Sequence, residues 1–301
     1  MEHSATNGGT PKPPRRVGLI GLGAIGETVA KALLRNSATT GVPPAPGASP
    51  DGVDGAALCA VLVRDVSKYD DASWLDGILI TSDADTFFAA RPEVVVEAAG
   101  QPAVAAYAEK ALRTGADFIA ASTGALTDDS LRRRIVATAR TAGCGRMHLA
   151  SGAMPGLDWM QAAAMGGGPS RVAVVQSKPP GAWAGTPGAA AAAAVGDWVA
   201  HGPLTIFEGN ARRAASEFPK TSNVTATLAL ATVGLDATQV RLVAEPQKHN
   251  STSLEFESAA GKISIETQQI PSATNPKTSA VVALSILRSL RCTCSPMYVG
   301  T

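Results

Sequence analysis

Hydrophobic positions in this chain fall into two regimes. Near the start, Arg16 to Ile20 is a short apolar run with the length of a buried strand. The stretch Glu27 to Arg35 then places Val29, Ala30, Leu33 and Leu34 at helical spacing. Ala56–Val63 reads as a second strand, Val94–Gly100 as a third unit and Asp117–Ala121 as a further strand. Helices are predicted over Pro102–Thr114 and Asp129–Thr141. Strands that alternate with helices of about a dozen residues predict a parallel sheet with crossover helices. The pattern changes near residue 150. Beyond it, Val172–Gln176 is a strand candidate, and helices are predicted near Asn210–Glu217, Asn223–Ala231 and Lys277–Leu290. The alternating segments Gln239–Ala244, Ser251–Ser258 and Lys262–Thr267 predict antiparallel strands.

The domain expectation is a flexible tail over 1–14, a nucleotide-binding domain over 15–150, an α+β domain over 151–274 and a closing helical segment over 275–301. Residues 36–55 form an insert of Pro, Gly, Ala and Ser, read as a surface loop. Apolar residues make up 45 % of the 301 positions and charged residues 17 %, which suits a buried core and argues against disorder. The net charge of +1, with no basic run among aromatics, argues against nucleic acid as a partner. No signal-like or membrane-spanning apolar stretch is present, so a cytoplasmic protein is expected. Cys59, Cys144, Cys292 and Cys294 lack metal-ligand spacing and read as free thiols, with no metal expected.

Between the first strand and helix lies Gly21-Leu22-Gly23-Ala24-Ile25-Gly26. A GxGxxG pattern in that context predicts a dinucleotide site. Gly21 would permit the tight turn, Gly23 the approach of a pyrophosphate, and Gly26 the packing of helix on sheet. The N–H groups that open the helix would face the phosphates. At the end of the second strand, Arg64 suits a ribose 2′-phosphate and Asp65 a 2′-hydroxyl, so NADP or NAD is expected, with a lean to NADP. Ala98, Ala99 and Gly100 end a strand where ligands of such sheets bind. The fold class is therefore α/β: a Rossmann-type doubly wound parallel sheet, with a second α+β domain on an open, largely antiparallel sheet.

Seven segments, in order, carry a resemblance. They are Val96-Glu97-Ala98-Ala99-Gly100, Ser122-Thr123-Gly124-Ala125-Leu126, Ser151-Gly152-Ala153, Ala182-Trp183-Ala184-Gly185-Thr186-Pro187, Ile206-Phe207-Glu208-Gly209, Phe218-Pro219-Lys220-Thr221-Ser222-Asn223-Val224 and Asn275-Pro276-Lys277-Thr278-Ser279. Together they resemble the L-aspartate dehydrogenase family. The resemblance implies oxidative deamination of L-aspartate through an imine, or the reverse, with an amino-acid or keto-acid substrate and usually a homodimer. It places Ala153 and Asn223 at the nicotinamide; Asn223 is also read as a cap for the helix that starts there. Lys178, Lys220 and Lys277 are candidate carboxylate anchors, and Glu97 is expected to be partly buried with a partner.

One departure stands out. The family's catalytic histidine falls on Thr252 here, once Asn250 and Glu255 are matched to the family pattern. A hydroxyl does not titrate near neutrality, so Thr252 predicts weak or absent deamination of aspartate. His249, three residues earlier, is on the opposite face if it lies in the strand, and replaces the imidazole only from a preceding loop. His3, His148 and His201 lie in no motif. The alternatives are an imine reductase with a shifted substrate, which needs no attack by water, and a silent NAD(P)-binding protein.

Overall fold

Val17 and Leu19 pack into one hydrophobic cluster and Ile20 into another, so the strand β1 (Arg15–Ile20) is buried on both faces. That double burial follows from helices covering both sides of a parallel sheet. The computed structural model describes residues 13–38, 53, 55–198, 202–246, 249–270, 279–294, 297 and 299, with the backbone alone for 36–38 and 220.

The first sheet is built in chain order from β1, α1 (Ala24–Ala38), β2 (Ala56–Leu62), β3 (Leu79–Thr81), α2 (Ala84–Ala89), β4 (Val94–Glu97), α3 (Gln101–Arg113), β5 (Asp117–Ala120), α4 (Asp129–Ala139) and β6 (Met147–Leu149). Its strand order is β3-β2-β1-β4-β5-β6, and every pair is parallel. The order reverses between β1 and β4, which opens a crevice at their carboxyl ends. Val94 and Val96 of β4 pack with Val29 and Leu33 of α1, while Val95 packs with Val104, Ala108 and Leu112 of α3.

The second half contains α5 (Leu157–Ala164), β7 (Pro169–Lys178), α6 (Ala189–Ala194), β8 (Leu204–Asn210), α7 (Ala211–Glu217), α8 (Asn223–Ala231), β9 (Gln239–Ala244), β10 (Asn250–Ser258) and β11 (Gly261–Gln269). Their sheet has the order β11-β10-β7-β9-β8. Three pairs are antiparallel, and β7 with β9 is parallel, so the sheet is mixed. One face of this sheet is covered. Val172, Val174, Leu254 and Phe256 pack there against Met160 of α5 and Leu228 of α8. The other face carries Arg171, Glu208, Arg241 and Glu255.

The last helix, α9 (Val281–Cys294), returns to the first sheet, where Ala283, Ile286 and Leu290 join the cluster of Val17 and Leu19. One expectation needs correction. Residues 36–38 of the supposed loop insert continue α1, and Val53 at its far end is buried in the first core, so the insert is anchored at both ends. Its residues 39–52 and 54, the tail 1–12 and residues 271–278 lie outside the described residues.

Candidate active site

Two cavities meet at Ala98, at the crevice between β1 and β4. The first, of about 520 Å³, runs past Gly21, Gly23, Arg64, Lys68 and Ala99. The second, of about 290 Å³, is lined by Ile25, Gly100 and Ser122 on one side and by Ala153, Asn223, Gln176, Lys178, Thr252 and Gln269 on the other.

The glycine loop forms the wall of the first cavity. Gly21 has φ +92, and a Cβ there would stand 2.7 Å from that of Ala99, so only glycine fits the turn. A Cβ on Gly23 would meet nothing within 4 Å, so its face of the loop is open to a ligand. Gly26 departs from expectation. Its missing Cβ would lie 2.1 Å from the carbonyl oxygen of Gly21, so it is needed by the loop's own backbone rather than mainly for helix on sheet. Ala24 and Gly26 line neither cavity; they position the opening turn of α1, whose first N–H groups have no carbonyl one turn behind. These residues fit a bound dinucleotide, with room at Gly23 for a pyrophosphate.

Arg64 and Lys68 are both exposed on the rim of the same cavity. Asp65 lines that cavity too, and its Oδ1 accepts from Ser67 N at 3.2 Å and Ser67 Oγ at 2.7 Å. Those bonds hold its carboxyl below the usual range. Lys68 was not foreseen. The short turn Val66–Tyr69 brings it around to face the cavity, 3.8 Å from Asp65.

Glu97 closes β4 with no exposure at all, which corrects the expectation of partial burial. Its partners are donors at the crevice: Ala99 N and Gly100 N bond Oε1, Ser122 Oγ bonds Oε1, and Ser122 N bonds Oε2. Burial pushes the carboxyl pKa up, against the pull of these donors. The effect is structural. One carboxylate holds the strand-end turn of β4 and the start of the loop after β5 in a single frame.

Asn223 does not cap α8, because Ser222 occupies that position. Instead Asn223 Oδ1 accepts from Gly124 N at 3.0 Å, and its carbonyl accepts from Thr123 Oγ1 at 2.9 Å. The Nδ2 donors are left for the cleft.

The inner face of the second sheet supplies the remaining wall. Along that face the strands are apolar at Val174, Leu254 and Ile265, then turn polar at Gln176, Lys178, Thr252, Thr267 and Gln269. Gln176 and Thr252 are direct cross-strand partners, as are Thr252 and Thr267. Both Gln176 and Thr252 are buried, and Thr252 Oγ1 accepts from Gln269 Nε2 at 3.2 Å. Gln176 Oε1 is buried and has no hydrogen-bond partner among the described residues. Lys178 lies 5.3 Å from the centre of the Trp183 ring, and enclosure lowers its pKa to about 8. Trp183 is wholly buried and packs edge-on against Phe218, so two of the seven family-like segments serve the core beneath the cleft.

The other sequence candidates separate. His249 is exposed in the bend before β10, while Asn250, Ser251 and Thr252 line the cleft. Lys277 and the side chain of Lys220 lie outside the described residues, as do His3 and His201. His148 is half-buried in β6, with its pKa lowered first by burial. Gln176 and Gln269 were not singled out in the sequence. The signal was a polar residue entering the apolar alternation of each strand near its end. The four cysteines are free, and among the described residues no cluster suits a metal.

Comparison with known proteins agrees with this geometry. A family model described as "Aspartate dehydrogenase, C-terminal" matches residues 158–293, and one described as "Homoserine dehydrogenase, NAD binding domain" matches residues 21–148. L-aspartate dehydrogenase 2 of Bordetella bronchiseptica is 41 % identical over 283 residues, covering 92 % of this chain and 96 % of that protein. The L-aspartate dehydrogenase of Brucella anthropi is 34 % identical over 278 residues, covering 90 % and 94 %. The crystal structure of aspartate dehydrogenase from Thermotoga maritima shares the fold, with a TM-score of 0.66 at 22 % identity over 95 % of this chain and 99 % of that one. With a nicotinamide-type crevice at the head of the first sheet and relatives of this identity along nearly its whole length, the chain belongs to the L-aspartate dehydrogenase family of NAD(P)-dependent oxidoreductases.

Proposed function

We propose that the chain interconverts L-aspartate and its imine, and thence oxaloacetate and ammonia, using NADP or NAD. The observation that carries this reading is the junction of the two cavities at Ala98, which sets a polar cleft directly against the crevice of the first sheet. A bound nicotinamide would accept a hydride from the amine-bearing carbon or return it to the imine. Gly21, Gly23 and the Ala24–Gly26 turn hold the pyrophosphate; Ala99 and Gly100 shape the path to the nicotinamide. Ile25, Ala153 and Asn223 then orient it from the cleft side. Lys277 is proposed as an anchor for a substrate carboxylate, binding it as a point charge.

Preference for NADP is part of the proposal. Arg64 and Lys68 share one rim, and Asp65, the natural acceptor for a 2′-hydroxyl, has one carboxylate oxygen tied to Ser67 and the other 3.8 Å from the Lys68 ammonium. A homodimer is proposed through the uncovered face of the second sheet. Among the described residues no helix is long and apolar enough to cross a membrane; with the free thiols, this supports a cytoplasmic setting.

A second reading, favoured by the neutral Thr252–Gln269 pair, is reduction of an imine with little hydrolysis. The test is a spectrophotometric screen: nicotinamide reduction with L-aspartate and other amino acids, and oxidation with oxaloacetate or other keto acids plus ammonia. Turnover with L-aspartate supports the first reading. Reduction of imines alone supports the second. Cofactor binding without any turnover would leave a silent binder.

A further inference from the structure

The cleft has an unusual charge inventory. Among the described residues that line it, Lys178 is the one titratable side chain; the rest are apolar groups, amides and hydroxyls. Thr252 is buried with its hydroxyl engaged by Gln269. Proton exchange at a substrate nitrogen needs a group that titrates near the working pH, and a hydroxyl does not.

We propose that Lys178, rather than the residue at position 252, exchanges the proton with the substrate nitrogen and is a catalytic residue of this chain. The proposal rests on the amine-oxidoreductase reading above.

Register supports it. Lys178 and Gln176 are two residues apart on β7, so their side chains leave the same face of the sheet, roughly 7 Å apart. Gln176 sits directly opposite Thr252. Its Oε1 is buried and unpartnered, and rotation of the amide toward the cleft would give that oxygen an N–H to accept. A substrate nitrogen bonded to Gln176 would lie within reach of the four-carbon stem of Lys178. The Trp183 ring, 5.3 Å from Nζ, restrains that stem without supplying a proton acceptor.

The surrounding charges leave Lys178 free to cycle. Glu97, from β4, spends its carboxylate on Ala99, Gly100 and Ser122. Glu245, after β9, donates its backbone N–H to the Lys178 carbonyl at 2.9 Å. His249, before β10, is exposed. None of them shifts Lys178; enclosure alone brings its pKa to about 8. A lysine paired with a carboxylate would stay cationic instead.

The step balances as follows. Neutral Lys178 Nζ takes a proton from the substrate ammonium, and the electron pair of that N–H bond remains on nitrogen. That pair is then free to form the C=N bond, and a bound oxidised nicotinamide would take the hydride from the carbon. Lys178, now an ammonium, passes its proton to water. In reverse, the same ammonium protonates the nitrogen as hydride arrives.

The test uses the full-length protein and Lys178→Arg, which keeps a cation but does not titrate near neutrality. Cofactor titration first checks that the variant folds and binds. In wild type, kcat/KM for L-aspartate deamination is expected to rise with pH through about 8. In Lys178→Arg, kcat is expected to fall by about 100- to 10,000-fold, with KM little changed and that limb lost. A readout independent of turnover is pH-dependent acetylation of the cofactor-free protein, followed by mass spectrometry. Lys178 is expected to reach half-maximal labelling near pH 8, well below the surface lysines. A variant that keeps its rate and its pH limb, or a labelling midpoint near that of surface lysines, overturns the proposal and leaves the family activity standing. A wild type that binds cofactor but turns over neither amino acids nor keto acids with ammonia sinks both.

Discussion

At the scale of single residues, the glycine loop separates a structural need from a ligand's need. Gly26→Ala places a methyl group against the Gly21 carbonyl, so it should lower stability before any cofactor is added. Gly23→Val puts its Cβ where no atom lies within 4 Å in the free protein. The expected result is an unchanged thermal midpoint without cofactor and a loss of affinity on the order of tenfold or more, read by fluorescence titration. Arg64→Ala and Lys68→Ala should each weaken NADP more than NAD, since a 2′-phosphate is the group they would meet; equal losses for both cofactors would place those side chains elsewhere. Lys178 also has a thermodynamic consequence. Its pKa falls from 10.5 in the unfolded chain to about 8 when folded, so between those values the unfolded state binds more protons. Its contribution to stability is fully present above about pH 10.5 and is lost as pH falls through about 8. Relative to Lys178→Met, wild type should therefore lose roughly 3 kcal/mol between pH 10.5 and pH 7 in denaturant titrations. A constant difference between the two proteins over that range would show that Lys178 is solvated.

At the scale of elements, the long periodic segments were legible and the short ones were not. The segments β1, α1, α8, β9 and β10 lie within a residue or a few of the stretches read from periodicity. β3 (Leu79–Thr81) and β6 (Met147–Leu149) span three residues each, too few to establish a period of two. They exist because a neighbouring strand offers a ladder. β8 went unread because Leu204–Asn210 mixes Phe207 with a charge and a glycine. The final helix deserves a direct test of its docking. Leu290 is wholly buried with Val17 and Leu33, so Leu290→Ala should destabilise the chain by about 2–5 kcal/mol in chemical denaturation. A loss below about 1 kcal/mol would mean that α9 contributes little to the first core.

At the scale of the whole molecule, the site lies where the two halves meet. Gln101 Nε2, from α3, bonds Pro219 O at 3.0 Å and Ser222 Oγ at 3.2 Å, and Thr227 Oγ1 bonds Thr123 Oγ1 at 2.8 Å. These bonds set Asn223 beside Gly124 and bring the polar end of the second sheet against the crevice of the first. A ligand held there stabilises the folded state by mass action, about 2.7 kcal/mol at a hundredfold excess over Kd. That excess of cofactor should therefore raise the thermal midpoint of wild type, and at the same concentration a tenfold loss of affinity in Gly23→Val should cut the stabilisation to about half. The sequence by itself determined the parallel first sheet, the glycine loop, the open second sheet and the family, because these depend on local periodicity and on motifs of adjacent residues. Tertiary structure alone decided the rest. Gln176 meets Thr252 across 76 positions of chain, Glu97 meets Ser122, and Lys178 is enclosed by segments remote in sequence. Burial and cross-strand register are properties of the packed molecule, and burial is what pushes the pKa of a lysine at a strand end down to about 8.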